Sequence, residues 1–214
     1  MEKKVNISAF SNNNMVAEEN RKFFYENGIF ATNIIGSPGC GKTSILEYTA
    51  GHFDEKFGVI VGDVKTALDS NRIIKAGHKY AYPIETGGGC HISPNMISEK
   101  IKEINKNIDY LFIENVGNLV CPSTFDLGEK FKIAVLSIPE GDEKVRKYPA
   151  LFLNAQVVII NKVDLLEYMD YDIECVKEDC KIHNPKVKIF ETSIKTGEGF
   201  ENFFNYMRTQ RKYF

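Results

Sequence analysis

Short runs of apolar residues recur along the chain and alternate with more polar segments. The sequence contains six such runs, which are IFATNIIGS, FGVIVGDV, DYLFIENVG, FKIAVLSIP, QVVIINKVD and KVKIFETSI. They are rich in Val and Ile and mostly continuous, as is typical of strands buried on both faces. Because segments of helical character separate them, the pattern predicts an α/β fold with a mainly parallel sheet flanked by helices.

The clearest helical segment is SPNMISEKIKEINKN, which follows a glycine-rich stretch. Ser93 can cap the helix with its hydroxyl, and Pro94 suits the first helical position because it has no N–H to satisfy. Ile97, Ile101 and Ile104 fall on one face at helical spacing. The segment therefore predicts an amphipathic helix that begins just after the glycines.

The start of the chain divides into two parts. Residues 15–27 mix apolar and charged residues and predict an amphipathic helix, with Gly28 as its C-cap. The preceding residues 1–14 are polar, include three consecutive Asn residues and are expected to form a mobile leader. Neither a repeat nor a linker interrupts residues 15–214, so they are predicted to form one domain. The phosphate-binding motif described below makes it a P-loop domain.

Composition narrows the class of protein. The net charge of −2 and the pI near 6.1 give no electrostatic reason to expect nucleic acid or an anionic membrane as a partner. No apolar run approaches the 18 or more residues of a membrane span, and no hydrophobic signal segment opens the sequence. We therefore expect a cytoplasmic protein. Its five cysteines, an odd number, are then expected to be reduced and better suited to metals than to disulfides.

A phosphate-binding motif follows the first predicted strand. GSPGCGKTS matches G-x-x-x-x-G-K-[ST] between a strand and a helix, which is the context that the P-loop requires. Lys42 should reach the β- and γ-phosphates, and the Thr43 hydroxyl should ligate Mg²⁺. Cys40 is expected to be a small filler residue inside the loop. The residues predicted to bind nucleotide here are Gly36, Gly39, Gly41, Lys42, Thr43 and Ser44.

Two later segments favour guanine as the base. INKVDLL places Asn161, Lys162 and Asp164 after a predicted strand, and a carboxylate there can accept from the N1 and N2 donors of guanine. This four-residue pattern is weak alone, but it gains weight downstream of a P-loop. ETSIKTGEGF places Ser193 and Lys195 in a loop that can cover the base. The sequence therefore predicts binding of GTP and GDP.

Two carboxylates are candidates for the Mg²⁺ side of the nucleotide. Asp63 ends one predicted strand, and Glu114 ends another that returns to Gly117. Both would lie at the carboxyl edge of the sheet, where ligands of such folds bind, although either could be an ordinary loop carboxylate. With Lys42 and with Gly117, a glycine expected to sense the γ-phosphate, they form the predicted catalytic set for GTP hydrolysis. Turnover should be slow, because neither arginine candidate, Arg72 or Arg146, is compelling as a catalytic finger.

Thiols and a histidine form a possible metal site. Cys90 and His91 follow three glycines in ETGGGCHIS, and Cys121 lies in the ENVGNLVCP segment. Three ligands leave an open position or require a second chain to complete the site for nickel or zinc. The alternative is a buried free cysteine beside a surface histidine. A second set, Cys175, Cys180 and His183, is less suitable because residues five apart on a helix diverge.

Six segments together carry a resemblance to a known family, namely GSPGCGKTS, GDVKTALDSNRI, TGGGCHIS, IENVGNLVCPSTFDLGE, EGDEKVRKYP and INKVDLL. They closely resemble the hydrogenase nickel-incorporation GTPases, the HypB family, over nearly the whole chain from Met15 onwards. The resemblance implies a P-loop GTPase of the dimerising SIMIBI class, which also holds urease accessory and signal-recognition GTPases. The most diagnostic segment is ENVGNLVCP, which generic GTPases lack.

The resemblance also implies nucleotide-side roles. Lys42 and Thr43 would bind phosphate and Mg²⁺, Asp63 would belong to switch I, and Glu114 to Gly117 would form switch II. On the base side, Asn161 and Asp164 would read guanine. The remaining match, Lys144, corresponds to a family lysine that contributes to nucleotide contact or pairing, although the proline that usually follows that lysine is absent here.

For the metal, the resemblance implies that Cys90, His91 and Cys121 bind nickel, with zinc as a competitor, at the interface of a GTP-stabilised homodimer. The implied partners are hydrogenase maturation proteins and the [NiFe]-hydrogenase large subunit. No Cys or His precedes Cys40, so the N-terminal nickel motifs of some relatives are not expected. The alternatives are a urease-type or regulatory GTPase with a structural zinc site and, less favourably, a P-loop kinase.

Overall fold

The fold is described from a computed structural model, which gives the backbone of residues 2–63, 68–76, 78 and 80–214 and the side chains of residues 12–62, 71–76, 78 and 80–214. The strands are β1 Phe30–Gly36, β2 Phe57–Asp63, β3 Ala81–Glu85, β4 Tyr110–Glu114, β5 Phe131–Ser137, β6 Val157–Asn161 and β7 Lys188–Thr192. The helices are α1 Glu2–Glu26, α2 Lys42–His52, α3 Leu68–Lys75, α4 Pro94–Lys100, α5 Cys121–Thr124, α6 Lys144–Lys147, α7 Pro149–Asn154, α8 Ile173–His183 and α9 Phe200–Arg211. Turns of 3₁₀ helix cover Ile101–Glu103, Ile138–Glu140 and Val163–Tyr168.

The strands form one sheet in the order β3-β2-β4-β1-β5-β6-β7, and every adjacent pair is parallel. The predicted α/β fold is therefore confirmed. The central strand β1 lies between β4 and β5, so the loop after it is at the middle of the carboxyl edge. All seven strands end at this edge, which brings the loops after them together.

Both faces of the sheet are covered by helices. On one face α2 and α9 pack through Ile45, Leu46 and a cluster of phenylalanines that includes Phe200 and Phe204. On the other face lie α1 and α4 beside β2 and β4, and α7 and α8 beside β5 and β6. The continuous Val- and Ile-rich runs of the sequence are explained by this burial on two sides.

Helix α4 begins as the sequence predicts. The Ser93 hydroxyl accepts a hydrogen bond from the Met96 N–H at 3.4 Å, and Pro94 occupies the first turn. Ile97, Ile101 and Ile104 are all buried. The cap anchors the end of the glycine-rich loop that joins β3 to α4.

Strand β3 is absent from the six predicted strands. Its residues Ala81–Glu85 include Pro83, and Ile84 is its one buried side chain. The strand lies at the edge of the sheet, where proline is tolerated because a residue there can leave its N–H side unpaired. An exposed edge strand of this kind lacks the continuous apolar run by which the other strands were recognised.

The predicted leader is helical in the structure. Helix α1 begins at Glu2 and ends at Glu26, so it runs through residues 1–14 from the second residue onwards. The boundary placed at residue 15 therefore does not correspond to the start of an element. The mobility of this segment stays a prediction. At the other end of the helix, Gly28 has a φ of 64° and its N–H donates to the Tyr25 carbonyl, in agreement with the predicted C-terminus.

Candidate functional site

The loop between β1 and α2 wraps around a small concave space. Gly39 and Gly41 have φ angles of 81° and 105°, which residues with a side chain rarely adopt. A Cβ at Gly41 would lie 2.4 Å from the Asn161 side-chain nitrogen, so glycine is needed there for space as well. The Lys42 ammonium donates to the carbonyls of Gly36 and Ser37 at 3.0 and 3.1 Å.

Lys42 is therefore held over the loop, and N–H groups of the first turn of α2 point to the same side. A cavity of about 440 Å³ opens at this position. It is lined by Pro38, Gly39, Gly41, Lys42, Thr43, Ser44, Gly62, Arg72, Glu114, Asn115, Val116, Gly117 and Lys162. This lining brings together most of the predicted phosphate-side residues.

Two of the side chains predicted to hold Mg²⁺ meet at the cavity. The Thr43 hydroxyl donates to Glu114 Oε1 at 2.7 Å, and both residues are buried. Adjacent ligands of an octahedral Mg²⁺ are about 3 Å apart, so the pair fits one edge of its coordination shell. Asp63 ends β2 at the same edge of the sheet. Its side chain lies outside the described residues, so its predicted role stays a prediction.

Gly117 lies against the phosphate-binding loop. A Cβ on Gly117 would come within 2.9 to 3.1 Å of three atoms of Pro38, two of which belong to the backbone. The segment after β4 and the loop after β1 are therefore in direct contact. This contact joins the phosphate-binding loop to the segment that leads to Cys121.

On the base side, Asn161 ties three elements together. Its side chain is fully buried, donates to the Cys40 carbonyl at 3.0 Å and accepts from the Thr192 hydroxyl at 3.2 Å. These bonds join the loop after β1 to the ends of β6 and β7. Asn161 thus joins the loops around the site, and its expected contact with the base stays a prediction.

The neighbouring residues are more accessible. Lys162 has a φ of 63° and donates to the Gly39 carbonyl at 2.8 Å, which stretches its side chain across the loop. The Ser193 hydroxyl donates to Asp164 Oδ1 at 2.6 Å, leaving the other carboxylate oxygen free to accept from a ligand. Lys195 is exposed in the same loop.

The remaining basic candidates lie apart from one another. Arg72 lies at the cavity, where it donates to both oxygens of Glu47 and to the Ser44 hydroxyl at 2.6 to 3.1 Å. Arg146 faces α8 and pairs with Asp179 at 2.7 Å. Lys144 pairs with Glu140 at 3.7 Å and is not among the residues that line the cavity.

Cys90, His91 and Cys121 come together although 30 residues separate the first from the last. One ligand atom from each lies within 4.8 Å of the others, and the Cys90 sulfur is 3.5 Å from His91 Nδ1. Ligands around a tetrahedral ion are about 3.5 to 4 Å apart, so a small closure of the loops would complete the geometry. Within the described residues no other group of three Cys, His, Asp or Glu side chains meets the same criterion.

The surroundings of the cluster shift the pKa values of His91 and Cys90 in opposite directions. Burial lowers the pKa of His91, so the imidazole is neutral at pH 7 and able to ligate a metal. A hydrogen bond with the Cys121 thiol raises the pKa of Cys90, so a metal must displace a thiol proton there. The His91 ring stacks on Phe125 with 4.0 Å between centroids. The contact of His91 with Phe125 was not predictable from the sequence pattern.

The other cysteines do not form a site. Burial raises the pKa of Cys40 to about 11, and its thiol lies inside the loop as the predicted filler. Cys180 is buried in the core and burial raises its pKa to about 12, whereas Cys175 lies against the Arg146 guanidinium. The structure thus leaves Cys175, Cys180 and His183 apart from one another, as the helix geometry suggested.

Asn115 is a site residue that sequence reasoning missed. It follows Glu114, is buried and lines the cavity. The only signal was its position between the predicted Mg²⁺ ligand and Gly117. A larger cavity of about 740 Å³ lies between α1 and the C-terminal residues, and it contains none of the predicted site residues. Among the described residues, no helix is both long and apolar enough to cross a membrane.

Comparisons with known proteins agree with this arrangement. The family model for the CobW/HypB/UreG nucleotide-binding domain matches residues 30–191. The chain is similar to the hydrogenase maturation factor HypB of Escherichia coli strain K12, with 41% identity over 210 residues, 97% of this chain and 72% of that protein. It is also similar to the hydrogenase/urease maturation factor HypB of Helicobacter hepaticus, with 39% identity, 94% of this chain and 85% of that protein.

A solved structure shows a similar fold. The crystal structure of HypB from Helicobacter pylori in complex with nickel has a TM-score of 0.87 and 39% sequence identity to this chain. The similarity covers 94% of this chain and 95% of that one. The likeness of fold therefore extends over most of both chains.

Proposed function

Because the chain belongs to the HypB family of CobW/HypB/UreG nucleotide-binding domains, we propose that it is a GTP-hydrolysing nickel chaperone that assists maturation of a [NiFe]-hydrogenase. The observation that carries the proposal is the Cys90, His91 and Cys121 cluster, within 4.8 Å, in which Cys121 follows the segment of residues 115–117 that lines the P-loop cavity. Nickel is the cargo in this proposal, and zinc is its competitor.

Phosphate binding falls to the loop after β1. Lys42 exchanges its two carbonyl partners for phosphate oxygens, since an ammonium binds phosphate more strongly than a neutral carbonyl. Thr43 and Glu114 would hold Mg²⁺. Asp63 is expected from the sequence to be a further ligand of the ion. When bound, Mg²⁺ neutralises charge on the transferred phosphoryl group. Gly117 lies against Pro38 of the phosphate-binding loop, a position from which we expect its N–H to meet the γ-phosphate.

Guanine selection falls to Asp164. The Ser193 hydroxyl occupies one of its oxygens and orients the carboxylate, which then accepts from the two donors on the guanine edge. Asn161 holds the two loops together below the base, and Lys195 covers it from the outside. Adenine lacks that pair of donors, so GTP is favoured over ATP.

The metal cluster suits a transferable cargo. Two thiolates and one imidazole are borderline-soft ligands that bind Ni²⁺ and Zn²⁺ well. Cys90 is exposed, and three ligands leave a position open for a second chain or an acceptor protein. We therefore propose a GTP-promoted homodimer in the cytoplasm, with hydrogenase maturation proteins and the hydrogenase large subunit as partners.

The test is a nickel titration combined with an assay of phosphate release from GTP. The full chain and its Cys121→Ser variant would be titrated with Ni²⁺, with Cys175→Ser as a matched control because that thiol faces Arg146 on another side of the molecule. Loss of about tenfold or more in nickel affinity is expected for Cys121→Ser and none for Cys175→Ser. Equal affinities in all three proteins would refute the metal assignment, and absence of phosphate release would refute the GTPase assignment.

A second target is supported by one observation. The Helicobacter hepaticus relative is named as a hydrogenase/urease maturation factor. Nickel is needed by both of those enzymes, so a urease is the alternative acceptor. A structural zinc site in a regulatory GTPase is the alternative for the metal, and it predicts that zinc stays bound through repeated cycles of GTP hydrolysis.

A further inference from the structure

The residue after the metal-binding histidine is fixed from two sides. The Ile92 N–H donates to Asn115 Oδ1 at 3.0 Å. The Ile92 side chain is fully buried and lies so close to Gly62 that a Cβ there would be 2.7 Å from two of its carbon atoms. Gly62 is next to Asp63 in β2, and Asn115 is next to Glu114 after β4. Ile92 therefore touches both strand ends that carry the predicted Mg²⁺ carboxylates.

Of these two contacts of Ile92, the one with Asn115 is a hydrogen bond. The Asn115 amide oxygen accepts from the Val116 N–H as well as from Ile92, each at 3.0 Å. One acceptor thus serves the segment that leads to Gly117 and the segment that carries His91. If one of these two N–H groups moves and the amide oxygen follows it, the other N–H must move as well. Otherwise a buried hydrogen bond is lost.

The Asn115 side chain is itself held in place by a buried polar chain. Its amide nitrogen donates to Asn33 Oδ1 at 3.1 Å, and the Asn33 nitrogen donates to Glu129 Oε1 at 3.3 Å. All three side chains are buried, with exposed fractions of 7% or less. The Asn115 N–H donates to the Ile34 carbonyl in β1, the strand that leads into the phosphate-binding loop. These bonds link Asn115 to β1 and so to the phosphate-binding loop.

We propose that Asn115 is the positioning residue that couples the nucleotide site to the metal site, because its single amide oxygen holds the backbone on both sides. The proposal rests on the proposed function, since it concerns regulation of the same GTP and nickel sites. Movement of residues 116 and 117 with the phosphate changes the bond from Val116, and the shared acceptor passes the change to Ile92 and so to His91. The side-chain hydrogen bonds of Asn115 go to Ile92, Val116 and Asn33, and none goes to Cys90, His91 or Cys121.

A buried asparagine in α1, Asn20, provides a control. Asn20 donates to the carbonyls of Pro94 and Leu127 at 2.9 and 3.1 Å, so it matches Asn115 in residue type, burial and the presence of buried bonds between distant segments. It makes no bond to residues 114–117 or to residues 90–92. Asn20→Ala therefore removes comparable structural support without touching the shared acceptor.

The first measurement independent of any substitution is amide hydrogen exchange in the wild-type chain with GDP and with a non-hydrolysable GTP analogue, both with Mg²⁺ and without nickel. The protection of the Ile92 and Val116 amides should change together by several-fold between the two nucleotides. A change at Val116 with none at Ile92 would overturn the proposal, and this result does not depend on whether a variant folds.

The decisive experiment measures the ratio of Ni²⁺ dissociation constants with GDP and with the GTP analogue in the full chain, Asn115→Ala and Asn20→Ala. Coupled sites typically give ratios of about 5 to 150, and the ratio in Asn115→Ala should fall at least about fivefold towards one while Asn20→Ala keeps the wild-type ratio. An unchanged ratio in Asn115→Ala overturns the role of Asn115 alone. A wild-type chain that binds no nickel overturns the proposed function, and a wild-type ratio of one overturns the coupling itself.

Discussion

At the scale of single residues, the site is built from short polar contacts that hold each ligand-binding group in place. Lys42 donates hydrogen bonds to two loop carbonyls, and Thr43 donates to Glu114. Asp164 accepts a hydrogen bond from Ser193. Each contact leaves the functional atom facing the cavity or the loops above it. A ligand then meets groups that are already oriented, which reduces the entropy lost on binding.

The Glu114 carboxylate is the most direct test of the Mg²⁺ side. In Glu114→Gln the side-chain oxygen can still accept from Thr43, but the charge that attracts the ion is lost. We expect the Mg²⁺ concentration for half-maximal GTP hydrolysis to rise at least about tenfold, as measured by phosphate release over a Mg²⁺ titration. Glu55→Gln is the control. Glu55 also pairs with a side chain, that of Arg208, but it precedes β2 and so lies at the opposite edge of the sheet from the nucleotide site. An unchanged Mg²⁺ requirement in Glu114→Gln would contradict the assignment.

Asp164 is expected to set the base preference. In Asp164→Asn the amide oxygen still accepts from Ser193, but a donor replaces the acceptor that faces guanine. GTP affinity should fall about 10- to 100-fold, the loss typical of a hydrogen bond to a charged group. The affinity for xanthosine triphosphate should rise, because xanthine carries a carbonyl where guanine carries an amine and that carbonyl can accept from the new amide. Competition binding with both nucleotides tests this, and an unchanged order of affinities would refute it.

Sequence reasoning works well for residues that act through their neighbours in the chain. The phosphate-binding loop follows from a nine-residue motif, and Ser93 from its place before a helix. The contacts of Asn115 were not predictable, because Ile92 is 23 residues away and Asn33 is 82 residues away. Its function depends on β1 and β4 being adjacent in space, which the order of the segments in the chain does not reveal.

At the scale of elements, the contact between two loops matters most. Gly117, in the segment after β4, presses on Pro38, in the loop after β1. The absence of a side chain allows this approach. The same segment continues to Cys121 at the start of α5, so the phosphate side and the thiol side are joined by four residues of chain.

Gly117→Ala should separate the two loops. The added methyl would lie 2.9 to 3.1 Å from Pro38, so backbone must shift, at a cost of about 1 to 3 kcal/mol. Affinity for the GTP analogue should fall at least several-fold more than affinity for GDP, as measured by fluorescence titration. Gly51→Ala is the control, since Gly51 lies in α2 with open space around it. Equal losses for both nucleotides in Gly117→Ala would contradict a role for Gly117 on the γ-phosphate side.

Element prediction from the pattern succeeded for strands that are buried on both faces and failed at the edge. The strand β3 has few buried side chains, but it carries the loop with Cys90 and His91. Its parallel pairing with β2 places that loop at the carboxyl edge beside the nucleotide site. The location of the metal cluster therefore depends on the one strand that the pattern did not reveal.

At the scale of the whole molecule, two histidines tie stability to pH. Burial lowers the pKa of both His78 and His91 in the folded chain, and His78 stacks on Phe57 at 3.9 Å. Between the lowered pKa and 6.5 the unfolded chain binds more protons than the folded one, so stability is full above about pH 6.5 and is lost as the pH falls.

His78→Phe keeps an aromatic ring next to Phe57 and removes one titrating group. The variant should lose less stability than the wild type on acidification, by up to about 1.4 kcal/mol for each pH unit between the two pKa values of His78. Urea denaturation at several pH values between 5 and 8 measures the difference. Parallel curves for the two proteins would show that His78 is not protonated preferentially in the unfolded state.

We propose that the bound nucleotide controls a metal site that two chains share. The most direct measurement is the mass and nickel content of the protein on one size-exclusion column, with GDP and with a non-hydrolysable GTP analogue, for the wild type and Cys121→Ser. We predict a dimer that carries nickel with the GTP analogue, and loss of that nickel in Cys121→Ser. A monomer with both nucleotides, or nickel content that is indifferent to Cys121, would contradict the account.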